Sequence, residues 1–286
     1  LLQQLCEVTG EGGTSIVLTF AKHPQRVLGR KDPPPLLTTA DEKTRLMKSL
    51  CHIEQIEVLD FDQRMAALTA EDFMNHYLHS TFGITHLLVG YYHHFGRPRW
   101  GESIENYREY GKEIGIEVIA AKQLPEIKIS SSRIRKLIVA GEIAEANNLL
   151  GHTFMLEGKV VKGQGLGKKL GIPTANLSVN DPQKMIPSHG VYVTTVKFDG
   201  KLYPAVTNIG HCPTLKKAEK ISVESHLLDE NFPSLYDKEV EVYFHKRIRD
   251  EKDFDNAEVL LEQIHADAEI AKEQHREIHF SPEDAL

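Results

Sequence analysis

Cysteine is scarce: Cys6, Cys51 and Cys212 are all that 286 residues contain. Their odd number, wide spacing and lack of a C-x-x-C pair exclude a disulfide framework and a thiolate zinc site, so they read as reduced structural thiols. Lys/Arg-rich stretches are missing too, and the net charge is -7. A phosphate backbone is held mainly by clustered positive charge, so nucleic acid is not an expected partner. No apolar run approaches the roughly 18 residues of a membrane span, and a soluble cytoplasmic protein is expected. Internal repeats and low-complexity tracts are absent. An initiator methionine is absent as well: Leu1 comes first, and residues 1–8 read as the middle of a helix, which implies a preceding segment.

The length is about twice what a single core serves comfortably, so two domains are expected. In the first half, apolar runs at 15–20, 56–61, 86–90 and 116–121 read as strands, with helices between them. Thr39 and Glu42 have capping-box spacing, followed by Leu46 and Leu50 at helical intervals, and Thr69 with Asp72 repeats the signal. This alternation predicts a Rossmann-like parallel α/β domain with ligands at the carboxyl ends of its strands. The segments there are polar and cationic: Lys22-His23-Pro24, residues 91–97, and Ser130-Ser131-Ser132-Arg133-Ile134-Arg135. From Thr153 the pattern shifts to short strands at 153–161, 191–198, 201–206, 222–227 and 239–245, a small antiparallel β-barrel. A helix over 256–271 closes it, since Leu260, Ile264, Ala268 and Ala271 share a face. The boundary is expected near 147–152, which gives an α/β domain over 1–148 and an all-β domain over 149–286.

The densest chemical signal runs from Gly163 to Asn176. Gly163, Gly165 and Gly167 let backbone N–H groups approach an anion, and Lys168 and Lys169 neutralise charge, as in a polyphosphate cradle. No Gly-Lys-Ser/Thr follows, so this is not a Walker loop. From glycine spacing alone a flexible hairpin is an equal reading. The adjoining Pro173-Thr174-Ala175-Asn176 shifts the balance, because Thr174 and Asn176 on an extended strand face the same way and suit a magnesium ion and a phosphate oxygen. Phosphoryl transfer to an alcohol also needs a carboxylate, and Glu224 stands in the strand Ser222-Val223-Glu224-Ser225-His226. An arbitrary strand glutamate is more often an exposed residue on the outer face. His76 with His79, or His93 with His94, lacks a third ligand at suggestive spacing, so no zinc site is expected from them.

Together the Gly163–Asn176 run, Val223-Glu224-Ser225-His226, and Arg249 followed by Phe254 resemble the riboflavin kinase domain. That domain carries a Gly-rich loop, Pro-Thr-Ala-Asn, a Val-Glu-x-His strand and Ile-Arg-x-Glu-x-x-Phe before its last helix. The resemblance covers nearly all of 151–271. It implies that Thr174 and Asn176 bind Mg2+ and ATP phosphates, that Glu224 is the catalytic base and that Arg249 contacts the flavin. Gly167-Lys168 replaces the usual Gly-Arg, which keeps charge but loses the bidentate fork, so altered ATP affinity is expected.

The first half resembles the adenylyltransferase module of the bacterial bifunctional enzymes that convert FMN and ATP to FAD. Leu18-Thr19-Phe20 with His23-Pro24 matches one motif, and residues 129–135 match Ile-Ser-Ser-Thr-x-Ile-Arg with Ser132 in place of Thr. The resemblance implies that His23, Ser130, Ser131, Ser132 and Arg135 hold ATP phosphates near a helix start. Taken alone, Ser130 to Ser132 would be a plain N-cap cluster. The family's Gly-x-Phe-Asp-Gly-x-His-x-Gly-His loop is not in the chain, and an acid and an arginine of a later motif are Tyr92 and His94. Losing one preorganised donor costs on the order of a hundredfold in rate, so impaired FAD synthesis is expected. The expected partners are thus riboflavin, FMN and ATP. The alternative is a flavin-binding carrier or regulatory protein without turnover, distinguished by the absence of ADP release.

Overall fold

In a computed structural model of the chain, the described residues are all except 23, 30, 51–52, 91–94, 98–101, 123–128, 164–170, 212–220, 230–231, 279 and 281–286. Two compact units emerge: 1–34 with 38–127, and 35–37 with 128–286.

The first unit runs α1 (Leu2–Thr9), β1 (Ile16–Phe20), α2 (Pro24–Val27), α3 (Ala40–Leu50), β2 (Gln55–Leu59), α4 (Gln63–Ala67), α5 (Ala70–Phe73), a π-helical stretch Met74–Thr81, β3 (His86–Val89), α6 (Ile104–Ile114) and β4 (Glu117–Ala120). β1 pairs with β2 and β3 with β4, both in parallel, as two separate two-stranded ladders among the described residues. Each parallel pair requires a long crossover, and α3 and α6 lie within those crossovers. The α3 start is a capping box: Thr39 N donates to Glu42 Oε2 (2.9 Å) and Glu42 N to Thr39 Oγ1 (3.2 Å). Thr69 and Asp72 repeat it at α5. Met74, Leu78, Val89, Tyr107, Ile116 and Val118 form the core, with the Phe95 ring stacked on Tyr107 at 4.5 Å.

The second unit runs α7 (Ser131–Ala140), α8 (Ile143–Leu150), β5 (Phe154–Val161), β6 (Ala175–Val179), β7 (Gly190–Phe198), β8 (Lys201–His211), β9 (Ile221–Leu227), β10 (Glu239–Arg249) and α9 (Ala257–Glu277). The strands close into an antiparallel barrel in the order β10-β5-β6-β9-β8-β7. The barrel contains β6, which the strand pattern had not separated from the glycine-rich run, and β8 and β10 reach beyond residues 206 and 245. Polar residues inside the barrel account for the shortened reading of β8. Thr207 is fully buried, and its hydroxyl joins those of Thr194 (2.7 Å) and Ser225 (2.8 Å), so the inward face is not marked by hydrophobicity.

Helices α7 and α8 insert Ile134, Ile138, Ile143 and Ala146 into the same core as Phe154, Leu156, Tyr192 and Phe244. Asn147 fastens this packing: its Nδ2 donates to Phe244 O and its Oδ1 accepts from Phe154 N, each at 2.8 Å. By packing, therefore, α7 and α8 group with the barrel, and the compact units divide between 127 and 128; the 148/149 boundary was expected from the helical segment that ends at Gly151. Asn256 caps α9 by accepting from Glu258 N and Val259 N, and the helix continues past Ala271 to Glu277.

Candidate active site

Four cross-strand pairings assemble the site from distant parts of the chain. Asn176 on β6 pairs with Glu224 on β9, Glu224 with Asn208 on β8, Asn208 with Val191 on β7, and Val191 with Arg249 on β10. Residues directly opposite on neighbouring strands lie close together, so the barrel lines them up as one row. Alternation along β9 then decides what each side chain meets. Val223 and Ser225 point into the barrel and are buried, whereas Glu224 and His226 face outward. Glu224 is on the outer face, as a bland reading of a strand glutamate would have it, but it is only partly exposed because it borders a cavity roofed by α9.

That cavity has a volume of about 280 Å3. Val191, Val206, Phe254, Leu260 and Ile264 supply its apolar wall, and Thr174, Asn208, Glu224 and Arg249 its polar groups. A larger groove of about 790 Å3 runs along Lys162, Gly163, Thr174 and Asn176 and is bounded by Phe232, Leu235 and Tyr236. Thr174 lines both. Gly163 sits so close to Asn176 that a Cβ there would overlap the Asn176 amide, which is why this position has no side chain.

Burial pushes the Glu224 carboxyl above its ordinary range, and a hydrogen bond from Thr174 pulls partly in the other direction. The result is a carboxylate held by a hydroxyl at the junction of two cavities, the environment in which proton affinity is tuned. His226 is pushed down by burial, and its Nδ1 lies 3.2 Å from Pro173 O, which ties β9 to the segment before β6.

Arg249 lines the smaller cavity, but its donors are engaged within the protein. Nε and Nη2 reach Asp267 at 2.7–3.1 Å, and Nη1 donates to Asp250 O at 2.9 Å. Asp267 is 2% exposed and also accepts from Gln263 Nε2. The guanidinium lies 5.8 Å from the Phe254 ring centre. Arg249 thus fastens α9 to the end of β10 and orients Phe254.

The remaining predicted residues lie elsewhere. Gly165, Gly167, Lys168 and His23 fall outside the described residues. Ser130 caps α7 by accepting from Arg133 N (3.3 Å), and Ser131 and Ser132 open that helix, exposed to solvent. Arg135 donates to Pro35 O at 2.7 Å, and partial burial lowers its proton affinity. In the first unit, Lys43 Nζ donates to Thr19 Oγ1 (3.2 Å) at the end of β1, and burial lowers the Lys43 pKa.

Sequence reasoning gave no role to Asn208, Asp267 or the apolar wall. Asn208 left one signal, an amide inside the strand-like run Val206-Thr207-Asn208-Ile209. Asp267 left another, an acid on the apolar face of α9 beside Ala268 and Ala271.

The riboflavin kinase family model matches residues 150–275, and the FAD synthetase family model matches residues 1–133. The bifunctional riboflavin kinase/FMN adenylyltransferase of Pseudomonas fluorescens is 33% identical over 263 residues, covering 91% of this chain and 83% of that protein. The Bacillus subtilis counterpart is 32% identical over 264 residues, covering 91% and 82%, and the Escherichia coli K12 counterpart is 33% identical over 261 residues, covering 90% and 82%. A crystal structure from Streptococcus pneumoniae, described as a macrolide-efflux protein, superposes with a TM-score of 0.84 at 28% identity, covering 98% of this chain and 88% of that one. Among the described residues here, no helix is long and apolar enough to cross a membrane. With both family models matched in order and relatives of this identity aligned across most of their length, the chain belongs to the bifunctional riboflavin kinase/FMN adenylyltransferase enzymes.

Proposed function

We propose that the barrel domain phosphorylates the ribityl 5′-hydroxyl of riboflavin with ATP to give FMN and ADP, and that the N-terminal domain adenylylates FMN to FAD. The observation that carries the first reaction is the Thr174–Glu224 hydrogen bond where the two cavities meet. Riboflavin occupies the smaller cavity, with its ring against Val191, Val206, Phe254, Leu260 and Ile264 and its ribityl chain toward Asn208 and Glu224. ATP occupies the larger groove, with its phosphates toward Gly163, Thr174 and Asn176; Gly165, Gly167 and Lys168 are assigned to it by their match to the family's glycine-rich loop.

Glu224 accepts the hydroxyl proton as the 5′-oxygen attacks the γ-phosphorus and the bond to ADP breaks. Thr174 keeps the carboxylate aimed at that oxygen. The apolar wall and Arg249, through Phe254 and α9, fix the ring so that donor and acceptor approach in one geometry, which is where most of the acceleration arises. A hydroxyl and an amide oxygen are hard donors suited to Mg2+, which takes few protein ligands and completes its shell with phosphate and water. Thr174 and Asn176 would hold it; when bound it neutralises charge on the transferring phosphate.

For the second reaction, Lys43 with Thr19 at the end of β1 supports a phosphate-facing strand end; His23, Ser130, Ser131, Ser132 and Arg135 are assigned to ATP by their match to the family's motifs. Tyr92 and His94, in place of the family's acid and arginine, support slower adenylyl transfer than phosphoryl transfer. Incubation with riboflavin, ATP and Mg2+, followed by chromatography with fluorescence detection, tests both. FMN should form first and FAD more slowly. Riboflavin left unchanged while still bound would overturn the kinase assignment in favour of a flavin-binding protein without turnover.

A further inference from the structure

Outside the Glu224 row, a second cluster of ligating side chains stands at one end of the barrel. His189 immediately precedes β7, His211 ends β8, and Glu251 follows the end of β10. These strands are neighbours in the barrel. Gly190 pairs with Ile209 and Arg249 with Val191, so the ladder itself delivers all three side chains to the same mouth. One ligand atom from each lies within 4.8 Å of the others. His189 Nδ1 is 3.9 Å and His211 Nδ1 3.8 Å from Glu251 Oε2, and the two imidazoles pack edge to face with ring centres 4.1 Å apart.

We propose that His189, His211 and Glu251 bind a Zn2+ ion, at a site separate from the one that serves the nucleotide. Bonds of roughly 2.0–2.1 Å to a tetrahedral zinc place ligand atoms about 3.3–3.4 Å apart; the two His–Glu pairs, at 3.9 and 3.8 Å, lie about half an ångström beyond that spacing. Two imidazole nitrogens and one carboxylate oxygen are a zinc-type donor set; Mg2+ prefers oxygen alone and dehydrates reluctantly. The scaffold makes room for it. A side chain at Gly210 would collide with the Glu251 carboxylate, and the His189 carbonyl is held by a hydrogen bond from Arg247 Nη2. Three protein ligands leave a fourth position for water, and since His211 and Glu251 also line the smaller cavity, that position borders it. Sequence spacing conceals the site, because its residues are 189, 211 and 251 and no two of them form a short motif.

The test uses the full chain, stripped with a chelator and then titrated with Zn2+ alone, without nucleotide, against a chromogenic competitor. One Zn2+ should bind per chain and raise Tm, and Co2+ in its place should give the intense visible bands of a four-coordinate ion. His189→Ala and His211→Ala should each weaken binding by no less than the roughly 10–100-fold that loss of even an outer-shell partner costs. His76→Ala, remote from the cluster, should leave it intact. Zinc-free His189→Ala should phosphorylate riboflavin with Mg2+ at the parental rate. Failure to take up stoichiometric zinc, or uptake by both cluster variants as tight as the parent's, would overturn the site. Should the variants not fold, the Co2+ spectrum of the parent decides: weak six-coordinate bands reject the site.

Discussion

Glu224→Gln isolates proton acceptance from everything else the side chain does. Glutamine has the same length, fits the same half-buried position above β9 and still offers an oxygen to the Thr174 hydroxyl, but it cannot take a proton. A positioned general base contributes roughly 10²–10⁴ in rate, or about 2.7–5.4 kcal/mol at 1.36 kcal/mol per decade. FMN formation under saturating substrates should therefore slow by on the order of 10²–10⁴, while the riboflavin Kd from fluorescence quenching stays within about threefold, because the apolar wall is untouched. The pH profile supplies a second reading. Burial raises the Glu224 pKa above the ordinary 4.5, so the parent's kcat should be full above that raised value and lost as pH falls through it. Thr174→Val removes the hydrogen bond that pulls the pKa down, and the acid limb should move further up. In Glu224→Gln the limb should vanish. Turnover within threefold of the parent, with the acid limb retained, would refute Glu224 as the base.

Asp267→Ala strands the Arg249 guanidinium beneath α9; loss of one partner from a buried pair costs about 3–5 kcal/mol, so Tm by calorimetry should fall by roughly 6 °C or more. Gly163→Ala forces the Asn176 amide aside; a lost hydrogen bond to a charged group is worth about 1.5–3 kcal/mol, so KM for ATP should rise roughly 10–100-fold with riboflavin KM little changed. His245, buried on β10 beside His275, is pushed down to about 3, chiefly by burial and then by His275, so the folded protein holds it neutral while the unfolded chain protonates it below about 6.5. Its contribution to stability is complete above pH 6.5 and is lost as pH falls toward 3, at up to about 1.4 kcal/mol per unit. Urea midpoints measured from pH 7 to 4 should show this slope, and His245→Gln should flatten it; the same slope in the variant would reject His245 as its source.

Local chemistry explains why much of this was readable from sequence. Capping boxes at Thr39 and Thr69, the apolar face of α9 and the alternation of β9 are short-range devices, and each appears where its residue pattern puts it. Glu224 and Thr174 were legible as residue types, but their contact was not: it depends on β6 pairing with β9, and an extended run after a glycine-rich segment does not name its partner strand. The strand ends carrying Asn208, His211 and Arg249 were lost for a related reason. Hydrophobic periodicity stops where the barrel packs hydroxyls inside, as at Thr207, and where its mouth turns polar. Asp267 escaped because a buried acid on an apolar helix face has meaning only once Arg249 faces it.

The meeting point of the cavities bears on why one small barrel can do transfer chemistry rather than merely bind two ligands. Transfer requires the reacting atoms to come within about 3–3.5 Å in one orientation, whereas the nucleotide and flavin bodies need room of their own. Among the described residues, Thr174 is common to both linings. Asn176 stands on the groove side and Glu224 on the cavity side, and the two are register partners across the β6–β9 ladder. A strand-to-strand spacing of about 4.7–4.9 Å therefore separates the residue that would hold phosphate from the residue that would take the proton. That distance is set by backbone hydrogen bonds and does not depend on flexible side chains, so substitutions on the apolar wall should change which ring binds while leaving the distance between base and phosphate unchanged.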